Sequence, residues 1–299
     1  MRRLLIPAFV VCCCAASWAA ATDGPFFPRP FLIEHQVVMV EPGGSVFAAP
    51  PVTDHYGGSW IVSVRPDDSR TIVDLARREF IEVDTPRGVY SVVTFARWAE
   101  LVRRMQAVEG RTSSKDSESE RESVTYETAA FTSSALERAD HQKTLADEPR
   151  PHVAESIRRI QVRVAGLGPD GPLLEAWADP RIPLPDKAAN ALAELDATIQ
   201  GGVIDDTIPG RAGMLAAARA SAEGAMVIRT LAPAVLDRDL DEAGLIEDVA
   251  LRVQPGISFP LDLVEIPEGF RRVPHALELS VAWAEEDAEI RRRMTDVSE

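Results

Sequence analysis

From Gly58 onward, apolar and polar residues alternate along the chain. Trp60, Val62 and Val64 alternate with Ile61, Ser63 and Arg65, which predicts a half-buried strand. Pro66-Asp67-Asp68 forms a turn, and Thr71, Val73 and Leu75 alternate next. After a turn at Ala76–Arg78, Ile81 and Val83 alternate with Phe80, Glu82 and Asp84. Thr85-Pro86-Arg87-Gly88 turns again, and Val89–Val93 is β-branched enough to pair. The pattern predicts a meander of short antiparallel strands. Upstream, Thr22–Pro30 is a loose Pro- and Phe-rich lead-in. Phe31–Val40 is a strand ended by Glu41-Pro42-Gly43-Gly44, and a proline-rich loop runs through Ala49, Pro50 and Pro51.

The period then changes. Phe95, Trp98, Leu101, Val102, Met105 and Val108 recur at helical spacing, with Thr94 placed to cap the start. Glu109–Glu122 reads EGRTSSKDSESERE; with no large apolar residue it is expected to be a disordered acidic loop. Between Val124 and Pro151 the pattern is ambiguous, with a weak helix from Ser134 to Leu145. Strands return at Ile160–Val164 and Leu173–Ala178, joined through Gly166–Gly171. Pro185 and Asp186 start a helix with Leu192, Leu195 and Ile199 on one stripe, ended by Gly201-Gly202. Met214–Ala222 is an alanine-rich helix. Met226–Leu231, Leu245–Val253 and Leu261–Ile266 read as strands, with Val249, Leu251 and Val253 on one face. The tail, residues 281–299, is helical from Val281 to Met294. Its early Glu285, Glu286 and Asp287 and late Arg291–Arg293 suit the helix dipole.

Residues 1–21 have a different character. Arg2 and Arg3 precede a largely apolar run from Leu4 to Ala16, and Ala19-Ala20-Ala21 offers a small-residue cleavage site before Thr22. This is the pattern of a secretory signal peptide. The alternatives are weaker on the residues. Met1 and Leu4 do not fit a twin-arginine motif, the triple alanine favours cleavage over an uncleaved anchor, and no small residue precedes Cys12, Cys13 or Cys14 as lipidation would require. The expected localisation is exported, periplasmic or secreted, with residues 22–280 forming the body.

Composition narrows the partners. All 3 cysteines lie inside the signal, so the mature chain would be held by its core without disulfides. Hydrophobic residues make up 45% of the chain and aromatics 6%, so Ala, Val and Leu dominate the interior. The net charge is −15, and removing Arg2 and Arg3 makes it more negative. No basic cluster is available to displace counterions from phosphates, so nucleic acid is not an expected partner, nor is an anionic membrane surface. No later apolar run is long enough to span a bilayer.

Catalytic and metal signatures are missing from the sequence. There is no G-x-S-x-G, no H-E-x-x-H and no glycine-rich phosphate loop. His35, His55, His141, His152 and His275 are scattered, without ligand spacing. Asp205-Asp206 and the trio Asp239, Asp241 and Glu242 are the densest carboxylate groups, and such acidic loops are usually solvated. No enzyme activity, cofactor or metal is expected.

Two segments together carry a resemblance. TIVDLARREFIEVDTPRGVYSVVTFARWAELVRRM, Thr71–Met105, orders strand, turn, strand, turn, strand and amphipathic helix; LLEAWADPRIPLP, Leu173–Pro185, is joined by a late DLVEIPEGFRRV, Asp262–Val273. They resemble an exported bacterial family carrying a domain of unknown function, itself similar to the periplasmic lipoprotein-carrier superfamily. The resemblance implies an α+β fold: a curled antiparallel sheet, an open half-barrel, with helices packed across its concave face. It also implies a cavity for acyl chains. On the strand phases above, Trp60, Val62, Val64, Ile160, Val162, Val164, Val249, Leu251 and Val253 would line that cavity, where burying an alkyl chain gains about 0.8 kcal/mol per CH₂.

Three readings follow. The first is an extracytoplasmic binding protein for lipid, acyl chain or another apolar ligand. The second is an envelope sensor or protein-interaction module with no small-molecule ligand. The third is a hydrolase with an unrecognised carboxylate site. A cavity protein would show a continuous apolar pocket, and an interaction module a filled core with an exposed apolar patch. An enzyme would show carboxylates gathered in a cleft with shifted pKa values.

Overall fold

A computed structural model of the protein describes residues 24–41, 44–108, 126–132, 157–165, 173–199, 211–233 and 244–296. The expected signal (1–21), the acidic loop (109–122) and the weak helix (134–145) lie outside these residues. Elements in chain order are β1 Phe27–Val40, β2 Val46–Ala48, β3 Val52–Gly58, β4 Trp60–Val64, β5 Arg70–Asp74, β6 Glu79–Asp84, β7 Val89–Thr94 and α1 Phe95–Val108. The second half runs β8 Tyr126–Thr132, β9 Arg158–Val164, β10 Leu173–Pro183, α2 Asp186–Ile199, α3 Arg211–Ser221, β11 Ala225–Pro233 and β12 Leu245–Pro255. A 3₁₀ turn Leu261–Val264, β13 Arg271–Arg272 and α4 Ala276–Asp296 complete the chain.

The fold is α+β: one 13-stranded, mostly antiparallel sheet that does not close, with four helices among the described residues. Strands follow the order β13-β7-β6-β5-β4-β3-β1-β12-β11-β10-β9-β8, and β2 pairs with the far end of β1. Strands β4–β7 match the alternation of the sequence, β3 precedes them in the same meander, and only the two-residue β13 joins in parallel. Strand β1 sews the halves together. Its start pairs with β3 and most of its length with β12.

Register parity sorts the side chains onto two faces. On the helix face, Tyr56 lies opposite Ile61, Ile61 opposite Val73, Val73 opposite Phe80 and Phe80 opposite Val93. These join Phe27, Phe31, Ile33, Phe95 and Leu101 with Ala188, Leu192 and Leu195 of α2 in one core. Phe31 stacks on Tyr56 at 4.4 Å between ring centroids, and Phe80 meets both Phe95 and Trp98 at 4.7 Å. Helix α3 and the turn after it cover β8–β11 through Met214, Ala218 and Ala222, packed on Ile160, Val162, Leu174, Ala176 and Ala178. Thr94 caps α1 as its side chain predicts, accepting the Arg97 N–H at 3.2 Å.

The opposite face of the meander is closed by a strap, residues 256–273. Phe259, Leu263, Val264 and Phe270 pack over Val62, Ile72 and Val83. The strap is tied down by Arg271 N–H to Gly88 O at 3.0 Å and Val273 N–H to Tyr90 O at 2.8 Å. The sequence predicts a strand at Leu261–Ile266, but residues 261–264 form a 3₁₀ turn. Pro260 and Pro267 cannot donate to a ladder, and the apolar residues between them cap a sheet face instead of extending an edge. Strands β2, β3 and β8 lie where the sequence shows proline-rich loop or no clear pattern. The tail helix begins at Ala276, earlier than Val281, because His275 and Glu278 cap it: the Leu277 N–H donates to His275 Nδ1 at 3.1 Å and the His275 N–H to Glu278 Oε2 at 3.2 Å.

Two substitutions check these contacts. Gly57 on β3 lies directly under the Phe259 ring, where an added Cβ would collide with it. Gly57→Ala should lower the thermal midpoint, while Gly57→Ala combined with Phe259→Ala should recover part of the loss. Val162→Asp places an unpaired charge at a position with 0% exposure and should abolish cooperative unfolding followed by circular dichroism.

Candidate functional site

Beside the apolar core, a row of polar side chains crosses the helix face of the sheet, Asp54, Ser63, Thr71, Glu82 and Ser91 lying opposite one another from β3 to β7, and its charged end is at the sheet centre. There β1, β3 and β12 each contribute a polar side chain at an inward position: His35, Asp54 and Asp248. A bulge makes this arrangement. Glu34 pairs with Arg252 but His35 with Ala250, so Leu251 has no partner across the ladder and the phase of β12 inverts. Asp248 is thereby turned toward His35.

His35 Nδ1 lies 2.7 Å from Asp248 Oδ1, and its Nε2 lies 3.3 Å from Asp54 Oδ2. Burial by itself would disfavour the imidazolium. Hydrogen bonds to Asp248 and Asp54 and the charges of both carboxylates outweigh it, and the His35 pKa is raised from 6.5 to about 10. The Tyr56 hydroxyl donates to Asp54 Oδ2 at 3.3 Å; its pKa is pushed up by burial first and by the Asp54 charge second. Overhead, Arg219 of α3 pairs with Asp196 of α2 and ties the two helices together. Beneath them is a cavity of about 210 Å³, lined by these groups with Ile33, Leu215, Met226 and Thr230.

The chemistry open to this cluster is narrow. A general base needs a neutral imidazole near working pH, and two carboxylates hold this one protonated. One imidazolium between two carboxylates leaves the triad negative by about one charge, and its bonds crosslink three strands. Of the described residues, no group of three or more His, Cys, Asp or Glu is arranged to hold a metal ion.

The cavity residues expected from the sequence do not come together. Trp60, Val62 and Val64 lie on the strap face, because Ile61 is the β4 residue that points to the helices. Ile160 and Val162 face the helices but are packed under α3. The side chain of Val164 is outside the described residues; its backbone pairs with Tyr126. Val249 lies across from Arg229 on the face away from the helices, Leu251 sits at the bulge, and Val253 packs into the main core. The shared face expected for these three is corrected by that bulge, since one extra residue reverses a period of two. Asp205, Asp206, Asp239, Asp241 and Glu242 lie outside the described residues.

A second polar group sits on the other side of the sheet. Arg229 binds Glu247 with Nε–Oε1 of 2.7 Å and lies 4.2 Å over the Trp177 ring, and Arg159 pairs with Glu175 at 2.5 Å. Sequence reasoning passed over both clusters. The one available signal was a polar residue at an inward strand position, and the bulge and the unrecognised β3 hid that phase.

Fold and site together define a mixed α+β protein built on an open sheet, with helices on one face and an ion triad at the sheet centre. No protein-family model matches the chain, and no curated protein matches it. Among solved structures, an uncharacterized conserved protein from Thermus thermophilus aligns with 82% of this chain and 90% of its own, at 6% identity and a TM-score of 0.35. A likeness at that level carries no argument about fold or function.

The raised pKa gives the triad a pH signature. His35 binds a proton more tightly folded than unfolded, so its stabilisation is complete below about pH 6.5 and is lost as pH rises toward 10. The His35 ring resonances should titrate near 10 by NMR. His35→Leu, which leaves Asp54 and Asp248 facing each other, should cost about 1–2 kcal/mol at pH 7, less than for a fully buried pair because Asp248 is 36% exposed, and much less above about pH 10, as measured by urea unfolding.

Proposed function

We propose that the protein is an exported interaction module whose contact surface is the outer face of α4. The observation that carries this reading is the exposure of Trp283, 69%, flanked on one helix face by Leu279 at 43% and Ile290 at 49%. Large apolar side chains gathered on one exposed stripe mark a contact surface more often than they mark chance. The stripe is also rigidly presented. The inner side of α4 buries Val281 against the main core, and Arg104 of α1 grips Glu285 through two hydrogen bonds of 2.8 and 2.7 Å. A tryptophan held in place loses little entropy on binding, which is why such residues dominate interface energetics.

The interior supports the same reading. The helix–sheet space is occupied by stacked aromatic and aliphatic side chains, and the cavity at the sheet centre is lined by ionised groups. At about 210 Å³ it is smaller than the roughly 300–1,000 Å³ of ordinary ligand pockets, and two larger clefts of about 390 and 380 Å³ carry charged walls, Arg158 and Glu223 in one and Arg65, Glu82 and Arg87 in the other. The geometry therefore favours a protein partner over an acyl chain. Export rests on the basic start, apolar run and alanine site of residues 1–21.

The reading is tested by photo-crosslinking in the native cell envelope. A photoreactive residue at exposed Ser280, beside the stripe, should yield a discrete adduct, whereas one at Arg77 on the β5–β6 turn should not. No adduct from Ser280, or equal labelling from both positions, refutes the contact surface.

A further inference from the structure

We propose that the polar cavity at the sheet centre binds a small primary ammonium ion, with its NH₃⁺ group seated between Thr230 and Asp248 and its alkyl stem against the apolar wall. The proposal goes beyond the α4 contact face and does not depend on it.

Charge selects the sign of the ligand. Three carboxylates, Asp54, Asp196 and Asp248, border the cavity with two cations, His35 and Arg219. Arg219 is paired with Asp196, and His35 stands between the other two carboxylates. Arg229 also borders the cavity, but its guanidinium is held by Glu247 on the other side of the sheet. The site is negative by about one charge with His35 protonated, and more negative with it neutral. Asp54 Oδ1 is buried with no hydrogen-bond partner, and half-exposed Asp248 engages His35 through Oδ1 alone.

Thr230 points to a ligand independently of the charges. It is 7% exposed, it lines the cavity, and among the described residues its hydroxyl has no hydrogen-bond partner. A buried hydroxyl in that state is costly unless something in the cavity meets it. The register sets Thr230 directly opposite Asp248 on the neighbouring strand. Facing side chains of this kind stand about 4.5–5.5 Å apart at Cβ, a gap that one ammonium nitrogen can bridge. There it donates one hydrogen to the Asp248 carboxylate and another to the Thr230 hydroxyl oxygen. An alkylammonium carries three donors and no acceptor, which matches a wall of oxygens. Ile33, Leu215, Met226 and Ile228 supply an apolar wall that suits a short alkyl stem and offers nothing to a bare metal ion. The volume of about 210 Å³ restricts the ligand to a few heavy atoms.

NMR titration of the full chain with n-butylammonium chloride tests this at pH 7, with sodium chloride withdrawn in step to hold the ionic strength. The His35 ring and Thr230 amide resonances should shift together and saturate, with a Kd below about 10 mM. Tetramethylammonium chloride, which carries the charge without an N–H, should bind about tenfold more weakly or worse. Thr230→Val keeps the shape of the side chain and removes only the hydroxyl. It should weaken butylammonium binding by about tenfold, with a thermal midpoint no lower than wild type. Asp248→Asn, which keeps the size and removes the charge, should weaken binding at least as much. Absent or non-saturating shifts overturn the proposal. So does an equal response to tetramethylammonium, or a folded Thr230→Val protein that binds butylammonium as tightly as wild type.

Discussion

Strand β1 is the constraint on which the rest of the molecule depends. Its 14 residues lie between β3 and β12, so a single strand joins the N-terminal meander to the C-terminal half. A one-residue slip along β1 would turn its own apolar side chains to the wrong face against β3 and β12 alike. The His35 triad fixes this register. Asp54 reaches it from β3 and Asp248 from β12, so one imidazolium bonded to both is satisfied in a single alignment of three strands. Buried ion pairs contribute little net stability against apolar replacements, and a register lock is the role best suited to them.

The two faces of the sheet are then completed differently. Helices α1, α2 and α3 cover one face with an aromatic and aliphatic core. The meander's other face is closed by a strap held by Gly88 and Tyr90 backbone groups and by Trp60 stacked on Phe259 at 6.0 Å. Both faces of the meander are thus packed, one by helices and the other by the strap. Large apolar side chains instead reach solvent on α4, which is anchored through α1 to the same core.

Bulges do more here than loosen strands. At Leu251 one aims Asp248 inward. At Ile228, skipped between the Trp177–Arg229 and Ala178–Val227 pairs, another lets neighbouring β11 residues reach different cores. Between Asp179 and Pro183, β10 carries a larger irregularity, where fully buried Asp179 accepts hydrogen bonds from the backbone and guanidinium of Arg181. Each bulge coincides with a polar or two-sided position that regular alternation would have left on the wrong face.

What the sequence determined by itself was the set of strongly periodic elements. The strands of the meander from Trp60 to Val93, helix Phe95–Val108 with its Thr94 cap, and helix Asp186–Ile199 are written in local spacing and cap chemistry, so they were legible residue by residue. The α+β class came from the resemblance that these segments carry, and the sheet and helices bear it out. Tertiary structure alone decided which apolar set of β4 faces the helices, because Ile61 and Val62 are equally good inward residues until a strap and a helix each claim one side. It alone decided that β3 is a strand despite the prolines before it, since its Val52–Gly58 segment carries little apolar alternation and is held by β1 on one side and β4 on the other. The ion triad was beyond local reading for the same reason: His35, Asp54 and Asp248 come together only through long-range pairing and one bulged residue, and neither leaves a mark on the hydrophobic period.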